Sequence, residues 1–507
     1  MVMGTASDVG KSVVTTALCR VFARAGIRVA PFKSQNMSNN AAVCSDGGEI
    51  GRAQAVQAQA CRLEPVVDMN PVLLKPESER DCQVVIHGQA RFHMNASEDG
   101  RYRAEAWPAI VRSYQALAEN FDLIVIEGAG GAAEVNLRHC DVVNWPIAEL
   151  ADAPVLLLGD IDKGGVLASL VGTVELLSDA ERKRIRGFLI NKFRGELALL
   201  EPGLRFLEQR TGLPVLGVLP YLQRLGIPQE DSAALDGLLM NTRQAPVKIG
   251  VIHFPLISNY TDFQPFEDEP DVMVHYLSDP LTAPALDVLI LPGTKSTAAD
   301  LRWLRSAGWE DFLVRHRRAR GWTLGICGGY QMLGRRIVDT DRIESRQAEI
   351  IALGLLPVET IFQREKITDR VIAVHLSSGL PVEGYEIHAG RITGSIASSA
   401  VFKVIKRGGA AADSLDGTYS DDKRVIGTSI HGLFDSPAFR RKFIDTVRES
   451  KGLAALGRSV RDEARADHNA AFDRLADTFE EHTDMPRIAA FAGLTWKGRH
   501  YRDRLSW

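Results

Sequence analysis

The chain has 507 residues, 45% of them hydrophobic and 24% charged. That composition excludes disorder as the dominant state, and the length predicts roughly two to four domains. Sixty Lys and Arg face 64 Asp and Glu, a net charge of −4, which argues against nucleic acid or another polyanion as the main partner. No run approaches the ~18 apolar residues of a bilayer span, and Met1 to Lys11 has neither the basic nor the apolar region of a signal peptide. Cys19, Cys44, Cys61, Cys82, Cys140 and Cys327 form no C-x-x-C pair, so neither a zinc site nor a disulfide framework is expected. The reading is a soluble cytoplasmic protein with free thiols and small-molecule partners, binding neither nucleic acid nor membrane; nothing in the sequence sets its oligomeric state.

In chain order, Gly4-Thr-Ala-Ser-Asp-Val-Gly-Lys-Ser12 opens a helix whose apolar face is Val14, Ala17, Leu18, Val21 and Phe22 and whose end is Gly26. Only three residues precede Gly4, so the strand before the loop is expected to be very short. Val29 to Phe32, Leu123 to Ile126, Val155 to Leu158, Gly187 to Ile190 and Val215 to Val218 are continuous aliphatic runs. They read as strands of a parallel sheet covered on both faces. Arg243 to Lys248 reads as a linker. A second series follows at Ile249 to Phe254, Val288 to Leu291, Thr323 to Ile326 and Val425 to Ile430. Arg407 to Lys423, rich in Gly, Ala and Asp, is expected to be an exposed loop. Beyond Lys451, Leu475 and Phe479 mark a helix, and the chain ends in an aromatic and basic patch. The fold class is α/β: a phosphate-loop parallel-sheet domain over 1–245, a second α/β domain over 246–450, and a helical extension over 451–507.

The first chemical signal is the Gly4–Ser12 loop between strand and helix. Glycines there let backbone N–H groups surround phosphate oxygens, Lys11 reaches the outer phosphates, and Ser12 is a ligand for Mg²⁺. Five residues separate Gly4 from Gly10, one more than in the usual loop. With Gly4-Thr5 at its head, this spacing resembles dethiobiotin synthetase and its relatives, which place a second phosphate-binding lysine where Lys33 stands. Glu127, after the strand ending at Ile126, is placed for Mg²⁺, although a carboxylate there can also cap the next turn. Glu49 is a second Mg²⁺ candidate. In Asn191-Lys-Phe-Arg194 the position that reads guanine in related loops is Arg194. Asn191 is therefore a candidate for adenine, or a structural asparagine at a strand end, and ATP is the expected nucleotide.

The second signal is Leu324-Gly-Ile-Cys327-Gly-Gly-Tyr-Gln-Met-Leu-Gly334, a strand, a small-residue turn centred on one Cys, and a helix start. This is the arrangement of an exposed nucleophile, with the N–H of Gly328 available to an oxyanion. It resembles the class I glutamine amidotransferases. That resemblance carries over Gly293 and Thr294 as the other oxyanion segment and His431, at the end of the last strand, as the base. His388 is the nearest competing histidine, or else a structural one. Many relatives carry Glu two residues after the histidine; here that position is Leu433. Cys327 and His431 then act as a dyad, or Asp435 or Glu386 orients the imidazole.

A thiol site that releases ammonia beside a phosphate loop that activates a carboxylate amounts to an amide-forming enzyme. Residues 4–12, 31–38, 49–54, 69–76, 159–166 and 190–195 together resemble the glutamine-hydrolysing cobyric acid synthase family of cobalamin biosynthesis. The resemblance implies ATP- and Mg²⁺-dependent amidation of the b, d, e and g carboxylates of adenosylcobyrinic acid a,c-diamide, through acyl phosphates, to adenosylcobyric acid. The segment Pro76 to Cys82 is more charged than the family leads one to expect. Gln35, Asn36 and Lys75 are candidates to border the substrate cleft, with a solvated surface lysine as the alternative for Lys75. Asp160 and Asp162 either approach the metal and substrate or merely stabilise a turn. Two other readings stand beside this one: a related amidotransferase acting on another carboxylate, such as a cell-wall precursor or another tetrapyrrole, and a non-enzymatic scaffold, which predicts loss of Cys327 or His431.

Overall fold

The computed structural model describes residues 1–78, 80–95, 99–222, 226–227, 245–394, 398–457 and 468–496. Arg243 and Gln244 of the expected linker, and the terminal patch beyond residue 496, lie outside these.

The first half contains β1 (Val2–Gly4), β2 (Val29–Phe32), β3 (Gln35–Met37), β4 (Ala41–Val43), β5 (Glu49–Gly51), β6 (Val72–Pro76), β7 (Asp81–Ile86), β8 (Gln89–Asn95), β9 (Leu123–Ile126), β10 (Val155–Asp160), β11 (Ile185–Phe193) and β12 (Val215–Pro220). The aliphatic runs form the sheet. β1, β10, β11 and β12 lie side by side in parallel, β2 pairs with β9 in parallel, and a parallel bridge from Val2 to Glu127 joins the two groups. The resulting order, 2-9-1-10-11-12, puts the short β1 in the middle, and the phosphate loop and Glu127 leave the carboxyl ends of adjacent strands. That is where open α/β sheets bind ligands. Helix α1 (Lys11–Arg24) buries Val14, Ala17, Leu18, Val21 and Phe22, the face that the spacing predicts. The strands β3 to β8 are polar or short and were not expected. They form a β3-β6-β7-β8 sheet and a β4–β5 ribbon around a helix, α2 (Arg52–Ala60).

The second half contains β13 (Val247–Ile252), β14 (Val272–Leu277), β15 (Val288–Leu291), β16 (Trp322–Ile326), helix α3 (Gly328–Leu333), β17 (Arg336–Val338), β18 (Glu349–Ile351), β19 (Val358–His375), β20 (Pro381–Gly394), β21 (Phe402–Arg407), β22 (Ala410–Asp416), β23 (Thr418–Tyr419) and β24 (Val425–Thr428). One sheet runs β14-β13-β15-β16-β24-β23, parallel apart from β23. A second, largely antiparallel sheet is built on β19 and β20. The expected loop over Arg407 to Lys423 is in fact mostly strand. β21 and β22 form a hairpin whose turn is Gly408-Gly409, with φ of 55° and 82°, the pair of positive angles a tight hairpin needs. The glycines mark the turn, and the plain Ala and Asp residues after them carry the pairing.

The extension does not stand apart. Helix α4 (His468–His482) buries Phe472, Leu475, Ala476 and Phe479 in the same apolar cluster as Val14, Leu18 and Phe22 of α1. Arg20 Nε meets Asp473 at 2.8 Å, and Thr483 bridges Gly217 of β12. The C-terminal helix thus completes the core of the N-terminal domain. No helix among the described residues is long and apolar enough to cross a membrane.

The two halves meet over an apolar cluster of Ala41, Val43, Leu73 and Val85 from the first and Tyr385 and Ile387 from the second. Ala41 N–H donates to Asn259 Oδ1 at 2.9 Å, and Tyr260 N–H donates to Asn40 Oδ1 at 3.3 Å.

Candidate active sites

Cys327 follows β16 with φ 52° and ψ −109°. A non-glycine residue held there is strained, and it persists only where packing imposes it. The packing is visible at Gly329, where a Cβ would sit 1.9 Å from Leu291 O. Only glycine lets α3 start against the end of β15, and this contact brings the segment after Leu291 to the thiol. A Cβ on Gly328 would lie 3.2 Å from Thr294 N, and one on Gly293 would lie 2.8 Å from His431 Cε1. The structure therefore gathers Gly293, Thr294, Gly328, Cys327 and His431 in one place. Thr294 Oγ1 donates to Asp300, whose carboxyl burial pushes up to about 6.

His431 Nδ1 meets Asp262 Oδ2 at 2.7 Å, and the other oxygen of Asp262 accepts the N–H of Gly432 at 3.0 Å. The third member of the constellation is Asp262. This corrects the expectation of a dyad, or of Asp435 or Glu386 in this role. Both oxygens of Glu386 accept from Arg407, at 2.9 and 3.2 Å, and no hydrogen bond joins Asp435 to the imidazole among the described residues. Asp262 lies 169 residues before the histidine, in a single 3₁₀ turn over Tyr260–Phe263, too short to show a periodicity. The sequence held no signal for it. Burial works against charge on His431, but Asp262 and then Cys327 outweigh it and raise the imidazole to about 10. Its Nε2 is buried and has no hydrogen-bond partner among the described residues. Such a pair holds an imidazolium ready as an acid beside the Cys327 sulfur. His388, by contrast, bonds Gly390 O through Nδ1 at 2.7 Å, and burial lowers it to about 4, so it is a neutral, structural histidine.

At the phosphate loop, Lys11 Nζ donates to Ala6 O and Gly130 O, both at 2.8 Å, which poises the ammonium over the loop. Thr5 N–H donates to Leu158 O at 2.9 Å and ties the loop to β10. Gly10 has φ 98°, and a Cβ there would strike Asn191 Nδ2 at 2.1 Å. That amide donates to Val9 O at 2.9 Å, so Asn191 braces the loop's backbone. This is the bracing role of the structural alternative, and it sets Asn191 directly against the phosphate loop. Ser12 Oγ and Lys33 Nζ both donate to Glu127 Oε1 at 2.9 Å, and Gln57 Nε2 donates to Oε2. Burial pushes the Glu127 carboxyl up, but Lys33 and the three hydrogen bonds prevail and hold it below its ordinary value. A hydroxyl and a carboxylate side by side at a phosphate loop are the hard oxygen donors that suit Mg²⁺, which takes its other ligands from water and phosphate.

The comparisons with known proteins divide the chain in the same two parts. Residues 1–233 match the CobQ/CobB/MinD/ParA nucleotide binding domain, and residues 248–439 match the CobB/CobQ-like glutamine amidotransferase domain. Along its whole length the chain is 47% identical to the cobyric acid synthase of Sorangium cellulosum, with 97% of this chain and 98% of that one covered. This chain belongs to the cobyric acid synthase family. The family's enzyme from Photorhabdus laumondii is 45% identical over 96% of each chain, and that from Carboxydothermus hydrogenoformans is 45% identical over 97% of this chain and 99% of its own. As a member of the cobyric acid synthase family it is a glutamine-dependent amidotransferase of cobalamin biosynthesis with a nucleotide-binding phosphate-loop domain.

The remaining candidates fall into different surroundings in this family member. The oxygens of Glu49 accept from Lys75 at 2.8 Å and from Lys366 of the second half at 2.5 Å. Among the described residues no three His, Cys, Asp or Glu side chains cluster to hold a metal. Lys75 is buried, which overturns the solvated-lysine alternative. Asp160 pairs with Lys192 at 2.7 Å and accepts the N–H of Asp162 at 2.8 Å, while Asp162 pairs with Arg194 at 3.2 Å. Lys192 also donates to Asp8 O of the phosphate loop at 2.7 Å, so Asp160 is tied to that loop through one ammonium. Gln35 accepts from Tyr102, and Asn36 donates to Gln54 of α2 at 2.9 Å.

Glu49→Ala is expected to destabilise the protein by about 3 kcal/mol, because it leaves the buried Lys75 ammonium and the half-buried Lys366 ammonium without their counter-charge. Calorimetric melting tests this, and a Tm unchanged from wild type would contradict the ion cluster.

Proposed function

We propose that the chain converts adenosylcobyrinic acid a,c-diamide to adenosylcobyric acid, amidating the b, d, e and g carboxylates with ATP and with ammonia taken from glutamine. The whole-length likeness to cobyric acid synthases carries this reading, and the two sites supply the chemistry it needs.

In the glutaminase half, the Cys327 sulfur attacks the side-chain carbonyl of glutamine and a C–S bond forms. The oxyanion is received by the N–H groups of Thr294 and Gly328. His431 gives its Nε2 proton to the departing nitrogen, the C–N bond breaks, and ammonia leaves. The same nitrogen then takes a proton from water as the water cleaves the thioester and releases glutamate. Asp262 holds the imidazole in the tautomer and orientation that both steps use.

In the synthetase half, a substrate carboxylate oxygen attacks the terminal phosphorus of ATP and ADP leaves. Ammonia then displaces phosphate from the acyl phosphate. Lys11 and Lys33 place positive charge against the transferring group. Ser12 and Glu127 would hold Mg²⁺, which when bound neutralises phosphate charge. The scaffold reading is disfavoured by the retained Cys327 and His431, which the structure brings together with a carboxylate.

Mass spectrometry of the adenosylated a,c-diamide incubated with Mg-ATP and glutamine tests the proposal. A ladder of products gaining up to four amides is expected. An unchanged corrinoid beside Cys327-dependent glutamine hydrolysis would keep the amidotransferase chemistry and move the substrate to another carboxylate.

A further inference from the structure

Helix α2 belongs to the synthetase half, yet its two ends serve different sites. Toward its C-terminal end, Gln57 donates to Glu127 beside the phosphate loop. At its first residue, the Arg52 guanidinium crosses the domain interface and donates through Nη2 to Tyr385 Oη at 2.5 Å. Tyr385 in turn lies flat on the His431 imidazole, with ring centroids 5.2 Å apart and planes 16° from parallel. The backbones of Tyr385 and His431 also exchange hydrogen bonds, at 2.9 and 3.1 Å. One face of the imidazole is thus covered by a ring whose tip is fixed by a residue of the other domain.

We infer that Arg52 is a positioning residue for His431, acting across the domain interface through Tyr385. The inference rests on the glutaminase reading above. A guanidinium in a domain interface is costly unless it is well engaged, and here its Nε has no hydrogen-bond partner among the described residues. A smaller aliphatic residue would fill the contact without that cost. What the guanidinium adds is a directed bond to Tyr385 Oη and a cation 5.2 Å from the Tyr385 ring centroid. With the tyrosine tip held, the ring cannot swing away from the imidazole, and His431 keeps the plane that aims Nε2 at the thiol. The turn bearing Asp262 is gripped from the same side, by the Asn40 and Ala41 bonds to Tyr260 and Asn259. Both partners of the catalytic thiol are therefore held from the synthetase half, and the helix that reaches His431 is the one that touches the phosphate site.

The test is the pH profile of glutamine hydrolysis by the full-length protein in wild type, Arg52→Met, Arg52→Lys, Tyr385→Phe and the Met/Phe double variant. The groups around the imidazole are Asp262 in the turn after β13, Cys327 after β16, Tyr385 and His388 on β20, Asp435 after β24 and Arg52 on α2. In Arg52→Met, kcat is expected to fall roughly ten-fold with KM within about two-fold, as for a group that sets orientation and does not bind substrate. Loss of a nearby cation lets the imidazolium keep its proton, so the limb reporting His431 should move up by about 0.5 pH unit. Arg52→Lys should recover most of the rate. Tyr385→Phe keeps the ring and the cation and loses the bond, so it should match Arg52→Met in rate without moving the His431 limb, and the double variant should be no slower than either. A profile in Arg52→Met that superimposes on wild type, a loss confined to KM, or single effects that multiply in the double variant would overturn the inference. If Arg52→Met does not fold, Arg52→Lys and Tyr385→Phe still decide it. Absence of Cys327-dependent hydrolysis in the wild type would instead remove the underlying reading, and this inference with it.

Discussion

Asp262→Asn is expected to slow glutamine hydrolysis by about 10³- to 10⁴-fold while leaving the fold intact, because the amide cannot hold the imidazole in the working tautomer. The carboxylate makes two bonds, one to His431 Nδ1 at 2.7 Å and one to the N–H of Gly432 at 3.0 Å. Asparagine has a single acceptor oxygen. If that oxygen keeps the Gly432 bond, its NH₂ faces Nδ1, which must then accept, and the proton is driven to Nε2. The imidazole is then held neutral, without the carboxylate that stabilises the imidazolium needed to protonate the departing nitrogen. The lesion is confined to the glutaminase half, so synthesis supported by added ammonium chloride should outlast glutamine-supported synthesis in this variant. Steady-state glutamate release and amide formation with each nitrogen donor measure the two. A glutaminase rate within ten-fold of wild type would remove Asp262 from the catalytic set.

The same substitution has a signature in stability. His431 is raised from 6.5 to about 10 by Asp262 and Cys327 against the opposing effect of burial. A group whose pKa is higher in the folded state contributes stability that is fully present below about 6.5 and is lost as pH rises through about 10. The difference in Tm between wild type and Asp262→Asn should therefore be largest near pH 6 and shrink toward pH 10.

Glu127→Gln should lower ATP-dependent amidation by at least about 10³-fold, measured with ammonia as nitrogen donor so that the glutaminase site is bypassed. Glu127 is 1% exposed and gathers Ser12, Lys33 and Gln57 on its two oxygens. A neutral amide there removes the charged oxygen donor beside Ser12. It also leaves the Lys33 ammonium, 8% exposed, short of the charge that neutralises it, at a cost of about 3 kcal/mol. The variant should thus lose both rate and several degrees of Tm. Amidation with ammonia within ten-fold of wild type would show that Glu127 only caps a turn.

Much of both sites was legible in the sequence because their signals are local. The Gly4–Ser12 loop, Lys33 and Glu127 each follow an aliphatic strand directly, and Cys327 and His431 do the same in the second half. A strand end, a tight turn and a helix start are short-range events, set by residue size and backbone freedom within about ten positions. The helix behind the phosphate loop was predicted correctly for the same reason.

Charge partners are another matter. Glu49 stood out only as a second carboxylate near the loop, and its partner Lys366, 317 residues away, could not be read from the chain. That the Asn191 amide braces the loop backbone at Val9, 182 residues away, was likewise not encoded locally. The Arg407 to Lys423 segment has loop-like composition, and its strand identity comes from pairing with β21 and not from its own residues. The patterning around Leu475 and Phe479 announced a helix, but only packing placed it on α1 and β12. By itself, then, the sequence determined the α/β elements, the phosphate loop, the thiol turn and the family. The tertiary structure decided that Asp262 meets His431, that Glu49 belongs to an ion cluster, and that Arg52 meets the Tyr385 ring that lies on His431, because electrostatic and stacking partners are chosen by proximity in space, which chain position does not encode.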